Sequence, residues 1–252
     1  MSDHFRTIGF ALERPELDAL LRRALGGGRT ISAPHGDYHV FAPGGGAELW
    51  VNVIRDGAGA RLAGLAPHFA ATTRLEAVVE ALEPHAEFPL EGELYAWASC
   101  DGREHGRYPF SASVPDFDAS LAARPMPLRA TLALAAFAAD LEVWRTEAAY
   151  RAARDSETAA FEDAPLVPIG LFGEARGRAR SRSLVSGAVE CCNLRANPAT
   201  ERLFRVVRIA TYGGEIEIVA PPELLPDDLA AGTYVRASAW LTARIVACEP
   251  IG

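Results

Sequence analysis

The chain has 252 residues, 49% of them apolar, and a formal net charge of −8, which is enough apolar material for one or two folded domains and too much for a disordered chain. The negative charge disfavours general attraction to nucleic acid or to anionic membranes. Lysine is absent, which excludes lysine Schiff bases, pyridoxal-phosphate chemistry and the lysine-dependent phosphate-binding loop.

No segment approaches the roughly 20 apolar residues that a helix needs to cross a bilayer, and the N-terminal residues lack the basic and apolar regions of a secretory signal. The cysteines, Cys100, Cys191, Cys192 and Cys248, form no C-x-x-C pair and indicate neither a disulfide framework nor a zinc site. We therefore expect a cytoplasmic protein with reduced cysteines, no cofactor, no metal and no membrane association.

The N-terminal part combines one clear helix with a run of strands. Alternating apolar residues predict a strand over 8–12, and leucines at helical spacing predict a helix from Pro15 to Gly26. Gly, Pro and Asp turns then separate strands, with a short helix expected over 75–82. The strands are predicted over 38–41, 48–54, 60–65, 90–100 and 107–114.

The segment from Pro125 to Arg154 fits both strand and helix. Its Ala and Leu content favours a helix, whereas Leu132, Leu134, Leu141 and Val143 also fit an alternating strand pattern. We predict a strand up to about Trp144 and a helix across 147–154, and the alternative of one long helix stays open.

The last third carries closely spaced strand patterns, which favour a small barrel. The Gly213-Gly214 pair predicts a tight hairpin that pairs Tyr212 with Glu215 and Ala210 with Glu217. This register assigns Val207, Ile209, Thr211, Ile216 and Ile218 to the core face. The expected strands cover 181–191, 202–212, 215–219, 233–240 and 241–247.

Several phrases of this region resemble bacterial proteins that carry a domain of unknown function with an OB-like C-terminal barrel. They are Leu-Val-Pro-Ile-Gly-Leu-Phe at 166–172, Ser-Leu-Val-Ser-Gly-Ala-Val-Glu at 183–190, the hairpin segment 203–219 and Ala-Gly-Thr-Tyr-Val-Arg-Ala-Ser-Ala-Trp at 231–240. The resemblance covers the last third of the chain. It implies an OB-like fold and a bacterial origin, and it transfers no functional residue.

Together these patterns predict an α+β protein in two domains. An N-terminal, mostly antiparallel sheet with one or two helices would occupy 1–173, and a small OB-like five-stranded β-barrel would occupy 174–252.

The arginine series at the start of the second domain is a candidate binding feature. In an extended chain, Arg176, Arg178, Arg180 and Arg182 would present their guanidinium groups on one side, as a cradle for phosphate or carboxylate groups. A solvated linker that docks on the acidic front domain explains the series as well, and we favour that interpretation.

A second candidate is the barrel face that carries Phe204, Arg208 and Tyr212. An aromatic and cationic surface of this kind can stack and bind single-stranded nucleic acid. Glu215 and Glu217 share the face and would repel phosphate, so we do not expect nucleic-acid binding to be its role. A protein partner or a second copy of the chain is the preferred occupant.

No catalytic motif or metal-binding motif is evident in the front part. His35 and His39 would share a metal only on a helix, and Gly36 argues against one. Asp116 and Asp118 fit turn chemistry, and Glu91 and Glu93 fit a solvated strand face better than a catalytic pair.

These observations favour a non-enzymatic binding or protein-interaction module, although an enzyme is not excluded. The first alternative is a small-molecule site or enzyme in a pocket of the N-terminal sheet. The second is single-strand nucleic-acid binding by the barrel. For the first alternative, the pocket-lining residues would be Tyr38, His39, Glu48, Trp50, Tyr95 and Trp97.

Overall fold

The protein is described here by a computed structural model. It describes residues 3–10, 13–57, 59–98, 108–153, 165–169, 181–211 and 213–251. Strands predominate in this part of the chain, and the few helices are short, so the fold is a strand-rich α+β fold.

The longest helix is α1 (Arg14–Gly27), which starts with proline in its first turn and buries Leu20 and Ala24. The helix predicted from Pro15 to Gly26 is thus confirmed. The strand predicted over 8–12 is wrong, because Asp3–Ile8 forms a 3-10 helix that Gly9 ends at a φ of +75°. The other helices are α2 (Phe117–Ser120), α3 (Glu147–Ala153) and a 3-10 turn at Pro222–Leu224.

Four antiparallel strands that follow α1 form the first sheet in the order β1-β2-β3-β4. Residues 75–82, predicted as a helix, lie instead in strand β5 (Leu75–Pro84), where burial of Leu75, Ala77 and Val79 shows the alternation of a strand. The strands of the first sheet are β1 (Arg29–Ala33), β2 (Gly36–Gly44), β3 (Ala47–Asp56) and β4 (Gly59–Phe69).

Within the described ranges, the second sheet contains the other nine strands. The strand and helix expected between Pro125 and Arg154 are confirmed by β8 and α3. The strands of this sheet are β5 (Leu75–Pro84), β6 (Gly92–Ala98), β7 (Tyr108–Ser113), β8 (Leu128–Trp144), β9 (Leu166–Pro168), β10 (Arg182–Ala196), β11 (Leu203–Thr211), β12 (Gly214–Ala220) and β13 (Tyr234–Pro250).

Two long strands organise this sheet. β8 and β13 are antiparallel along their whole length, from Leu128 opposite Pro250 to Trp144 opposite Tyr234. On one side of this pair, neighbouring strands follow the order β8-β5-β6-β7-β13. β7 contacts β13 through a single parallel pair, Ser113 with Thr242. On the other side, neighbouring strands follow the order β13-β10-β11-β12-β8. β12 is parallel to β8, with Glu217 paired to Ala135. We call these the first and the second circuit.

A five-stranded barrel made only from residues 174–252 is not what the structure shows. The strands predicted over 233–240 and 241–247 are one strand, β13, and β8 from the N-terminal part completes the second circuit. The domain boundary after residue 173 lies outside the described residues and stays a prediction. Because strands from both sides of it share one sheet, we expect them to fold together.

The hairpin of β11 and β12 has the predicted faces with a register shifted by two residues. Ala210 pairs with Glu215 and Arg208 with Glu217, and a shift of two preserves the alternation of side chains. Val207, Ile209, Ile216 and Ile218 lie in the core enclosed by the circuits, as predicted. The opposite face packs on β3, β4 and β8 in a second apolar cluster, so the first sheet covers it.

Candidate functional site

A cavity of about 580 Å³ lies where the first sheet meets the first circuit. Asn52 on β3 and Pro67 on β4 form one wall, and Glu93 on β6, Ser113 on β7 and Trp240 on β13 form the other. The loop between β5 and β6 borders it. The volume is in the range of small-molecule pockets.

Two glutamates reach the cavity from the start of β6. Glu91 and Glu93 are two residues apart and therefore lie on the same face of an extended chain. Gly92 between them faces the opposite way, where a Cβ atom would lie 2.5 Å from the Phe117 ring of α2. The glycine lets α2 pack closely against β6, and both glutamates line the cavity.

Glu91 is held by Asn52 across the two sheets. Asn52 Nδ2 donates to Glu91 Oε1 at 3.1 Å, and Asn52 is only 2% exposed. Gly64 lies opposite Asn52 at a β-bulge, and a Cβ atom there would come within 2.6 Å of Glu91 Oε1. Burial raises the pKa of Glu91 above its ordinary value, although the Asn52 hydrogen bond and nearby His85 partly offset the effect.

Glu93 has one anchored and one unpaired oxygen. Its Oε1 accepts a hydrogen bond from the backbone N–H of Ser181 at 3.3 Å, while Oε2 is buried without a partner among the described residues. Burial raises the pKa of Glu93, hydrogen bonds from Ser181 lower it, and the charge of Glu83 raises it further. Asn52 Oδ1 is likewise buried and unpaired within the described part of the chain.

His85 belongs to the loop that borders the cavity. Its backbone N–H donates to Glu91 O at 2.9 Å, and its Nδ1 accepts from the backbone N–H of Glu87 at 3.3 Å. Because Nδ1 accepts, the neutral ring carries its proton on Nε2. The loop is thereby fixed against the residues that lead into β6.

On β13, a hydrogen-bonded series supports the far wall. Trp240 Nε1 donates to Ser113 Oγ at 3.0 Å, and Ser113 Oγ donates to Ser181 Oγ at 3.2 Å. Thr242 Oγ1 lies 3.1 Å from Nδ1 of the buried His68. Burial, with a smaller contribution from Arg244, lowers the pKa of His68 to about 3, so this ring is neutral and positions Thr242 without carrying charge.

The structure describes three of the seven predicted binding residues, namely Arg182, Phe204 and Arg208. Arg176, Arg178 and Arg180 lie outside the described residues, whereas Arg182 is exposed at the start of β10.

The stacking role predicted for Phe204 is wrong, because Phe204 is 0% exposed in the cluster beneath the first sheet. Arg208 lies 3.7 Å from the buried carboxylate of Glu217 and 3.8 Å from Glu215. Tyr212 lies outside the described part of the chain.

The cavity is lined by residues other than those predicted to line a pocket in the N-terminal sheet. Tyr38 and Trp50 are buried, with Tyr38 Oη donating to Leu90 O and Trp50 Nε1 donating to Glu48 Oε2. Glu91 and Glu93, interpreted from the sequence as a solvated face, form part of the cavity instead. The sequence signal was the pair of glutamates flanking a glycine ahead of the buried Leu94, Ala96 and Ala98, which mark the opposite face.

The other paired candidates separate in space. The Asp118 carboxylate is buried and lies 3.0 Å from His35 Nδ1, while Asp116 lies 3.8 Å from Arg244. His39 Nδ1 contacts Thr30 Oγ1 instead of sharing a site with His35. Within the described ranges, no three His, Cys, Asp or Glu side chains are grouped to hold a metal ion.

In the part of the chain that the structure covers, no helix is both long and apolar enough to traverse a membrane. Comparisons of the chain with protein-family models, with curated proteins and with solved structures found no match.

Proposed function

We propose that the protein is a non-enzymatic binding module that holds a small molecule in the cavity between the first sheet and the first circuit. One observation carries the proposal. The acceptors Asn52 Oδ1 and Glu93 Oε2 are buried, find no partner among the described residues, and belong to side chains that line a cavity of about 580 Å³. A buried polar atom without a partner costs about 1–3 kcal/mol, and a bound molecule that donates hydrogen bonds removes that cost.

The connectivity of the first circuit supports an OB-like assignment, which forms part of this proposal. β5, β6 and β7 form an antiparallel meander, β7 is parallel to β13, and β8 lies between β13 and β5. OB-folds are five-stranded Greek-key barrels that bind ligands on the second and third strands and in the adjoining loops. The cavity borders β6, β7 and the β5–β6 loop, which are the corresponding positions.

A second candidate is an enzyme that uses the same cavity. The raised pKa values of Glu91 and Glu93 favour it, because carboxyl groups whose pKa is raised by burial are candidates for general acid or general base catalysis. Phe204 is buried and Arg208 lies beside two glutamates, so these two residues of the predicted stacking face do not support nucleic-acid binding. A partner protein or a second copy of the chain stays a prediction.

A cytoplasmic location is part of the proposal as well. The described cysteines Cys191, Cys192 and Cys248 are free thiols, which fits a reducing compartment.

A cavity-filling variant tests the proposed function. Ala66 on β4 lines the cavity, so Ala66→Phe should occupy it, whereas Ala60→Phe on the exposed end of the same strand should not. We expect compounds from a small-molecule library to raise the melting temperature of the wild type and of Ala60→Phe, and to leave Ala66→Phe unchanged. Shifts that persist in Ala66→Phe would contradict binding in this cavity.

Recovery of the compounds separates the two candidate functions. A binding module returns each compound unaltered, which mass spectrometry of the recovered material measures. Conversion of any bound compound that depends on Glu91 or Glu93 would replace the binding proposal with the enzyme.

A further inference from the structure

We infer that the ligand of this cavity is a small organic cation, an ammonium or guanidinium group carried on an apolar body. The inference rests on the proposed function and names the chemical class that the site would take.

The charge of the cavity wall is the first argument. Glu83, Glu91 and Glu93 all line the cavity, and arginine is not among the described residues that do so. His85 is the only lining side chain that can become positive, again within the described part of the chain. Carboxylates partly withdrawn from water interact with an opposite charge more strongly than they do in bulk solvent. A cation is therefore favoured over a neutral or anionic ligand.

The hydrogen-bonding atoms give an independent argument. Asn52 lines the cavity, is 2% exposed, donates one amide N–H to Glu91 and keeps a buried acceptor, Oδ1, without a partner in the described ranges. Glu93 Oε2 is a second buried acceptor without a partner in the described ranges. A ligand that reaches these two acceptors must supply hydrogen-bond donors. An ammonium group supplies three and a guanidinium group five, whereas a carboxylate or phosphate supplies acceptors only.

The remaining walls explain why the cation is organic. Pro67, Pro84, Val114 and Trp240 also line the cavity and contribute apolar atoms to its walls. A hydrated metal ion gains nothing from such walls, because its ligands are oxygen atoms. The apolar part of an alkyl or aryl amine is removed from water by them.

The protonation of the two glutamates is consistent with this assignment. Burial raises the pKa of Glu91 and Glu93 because it disfavours their charged forms. A cation bound beside them would stabilise the charged forms and lower both pKa values. The charged and titratable groups that face them are Glu83, His85 and Tyr38. Cation binding should therefore release protons at pH values near the raised pKa values of these groups, which calorimetry in buffers of different ionisation enthalpy measures.

Three probes of nearly equal shape and different charge test the assignment. They are 2-phenylethylamine, 2-phenylethanol and phenylacetate, titrated into the full chain at neutral pH and followed by the indole N–H resonance of Trp240, which Trp240→Phe assigns. We expect saturable binding of the amine, at least tenfold weaker binding of the alcohol, and no shift with phenylacetate. Glu93→Gln should weaken amine binding at least fivefold, whereas Glu190→Gln, on an exposed position of β10, should leave it unchanged.

The outcomes separate this inference from the proposed function. Equal binding of amine and alcohol, or binding of phenylacetate, would overturn the cationic assignment and leave a small-molecule site in place. Saturation by MgCl₂ or CaCl₂ alone, with competition against the amine, would assign the carboxylates to a metal instead. Failure of every probe and of the compound library to shift Trp240 would overturn both proposals.

Discussion

Asn52 and Glu91 lie on different sheets, and the 3.1 Å hydrogen bond from Asn52 Nδ2 to Glu91 Oε1 joins the first sheet to the first circuit inside the cavity. The bond also fixes the orientation of the amide, because only Nδ2 can donate to a carboxylate. Asn52 Oδ1 is consequently left as a buried acceptor without a partner among the described residues.

Asn52→Asp should destabilise the protein, since it places a second carboxylate against Glu91 with almost no change in shape. We expect a loss of about 2–4 kcal/mol in unfolding free energy near neutral pH, shrinking in acid as one of the two carboxyl groups is protonated. Urea denaturation at both pH values measures it. Asn193→Asp, at an exposed position of β10, is the control, and an equal loss there would argue against a special role for the buried pair.

Glu93 should make the protein less stable as the pH rises. Its folded pKa is raised by burial, so the folded protein retains a proton that the unfolded chain has already released. Stability therefore falls between the ordinary glutamate pKa of about 4.3 and the raised value. Glu93→Gln lacks this titration, so its unfolding free energy should gain on the wild type as pH increases through the window. If the difference in unfolding free energy between the two proteins stayed constant across that window, the raised pKa of Glu93 would be contradicted.

His68 should act in the opposite direction. Its folded pKa is about 3, so below about pH 6.5 the unfolded chain binds a proton that the folded protein cannot accept. The wild type should lose a few kcal/mol relative to His68→Gln as the pH falls from about 6.5 towards about 3. His39→Gln, at a half-exposed position on β2, is the matched control for the same denaturation series.

Gly92→Ala should disrupt the close packing that orients the two glutamates. Its Cβ would lie 2.5 Å from the buried Phe117 ring, and overpacking of this kind typically costs about 1–3 kcal/mol. Gly26→Ala in α1 meets no atom within 4 Å and should be neutral or slightly stabilising. Melting temperatures of the two variants decide the matter, and an unaffected Gly92→Ala would mean that α2 is not held against β6 as described.

The shared strands predict one cooperative unit. A fragment of residues 178–252 lacks β8, which pairs with both β12 and β13, so we expect it to be unfolded by circular dichroism. A folded fragment would support the separate C-terminal domain that the sequence suggests. In the full chain, urea unfolding should follow a single transition.

Local patterns in the sequence predicted local structure well. The leucine spacing after Pro15 identified α1, and alternation through Leu132 and Leu134 identified β8 despite its alanines. The hairpin at Gly213-Gly214 gave the correct faces, since a two-residue register shift does not exchange them. These features depend on neighbours close in the chain.

Features that depend on distant neighbours were missed. Alternation showed that Phe204 and Val207 lie on opposite faces, and it carries no information about the first sheet that covers Phe204. The spacing of Leu75 and Val79 fits a helix turn as well as a strand, and pairing with β6 and β8 decides it. The cavity could not be predicted from the sequence for the same reason, because Asn52, Glu93 and Trp240 come from three distant segments.

Chemical-shift mapping tests the proposed binding site most directly. Compounds that stabilise the protein should be titrated into isotopically labelled full-length chain, with every backbone and indole N–H observed. We predict that the largest shifts fall on cavity residues from separate strands, namely Asn52, Glu93, Ser113, Trp240 and Thr242. Shifts confined to other surfaces, or none at saturating concentration, would contradict a small-molecule site in the cavity.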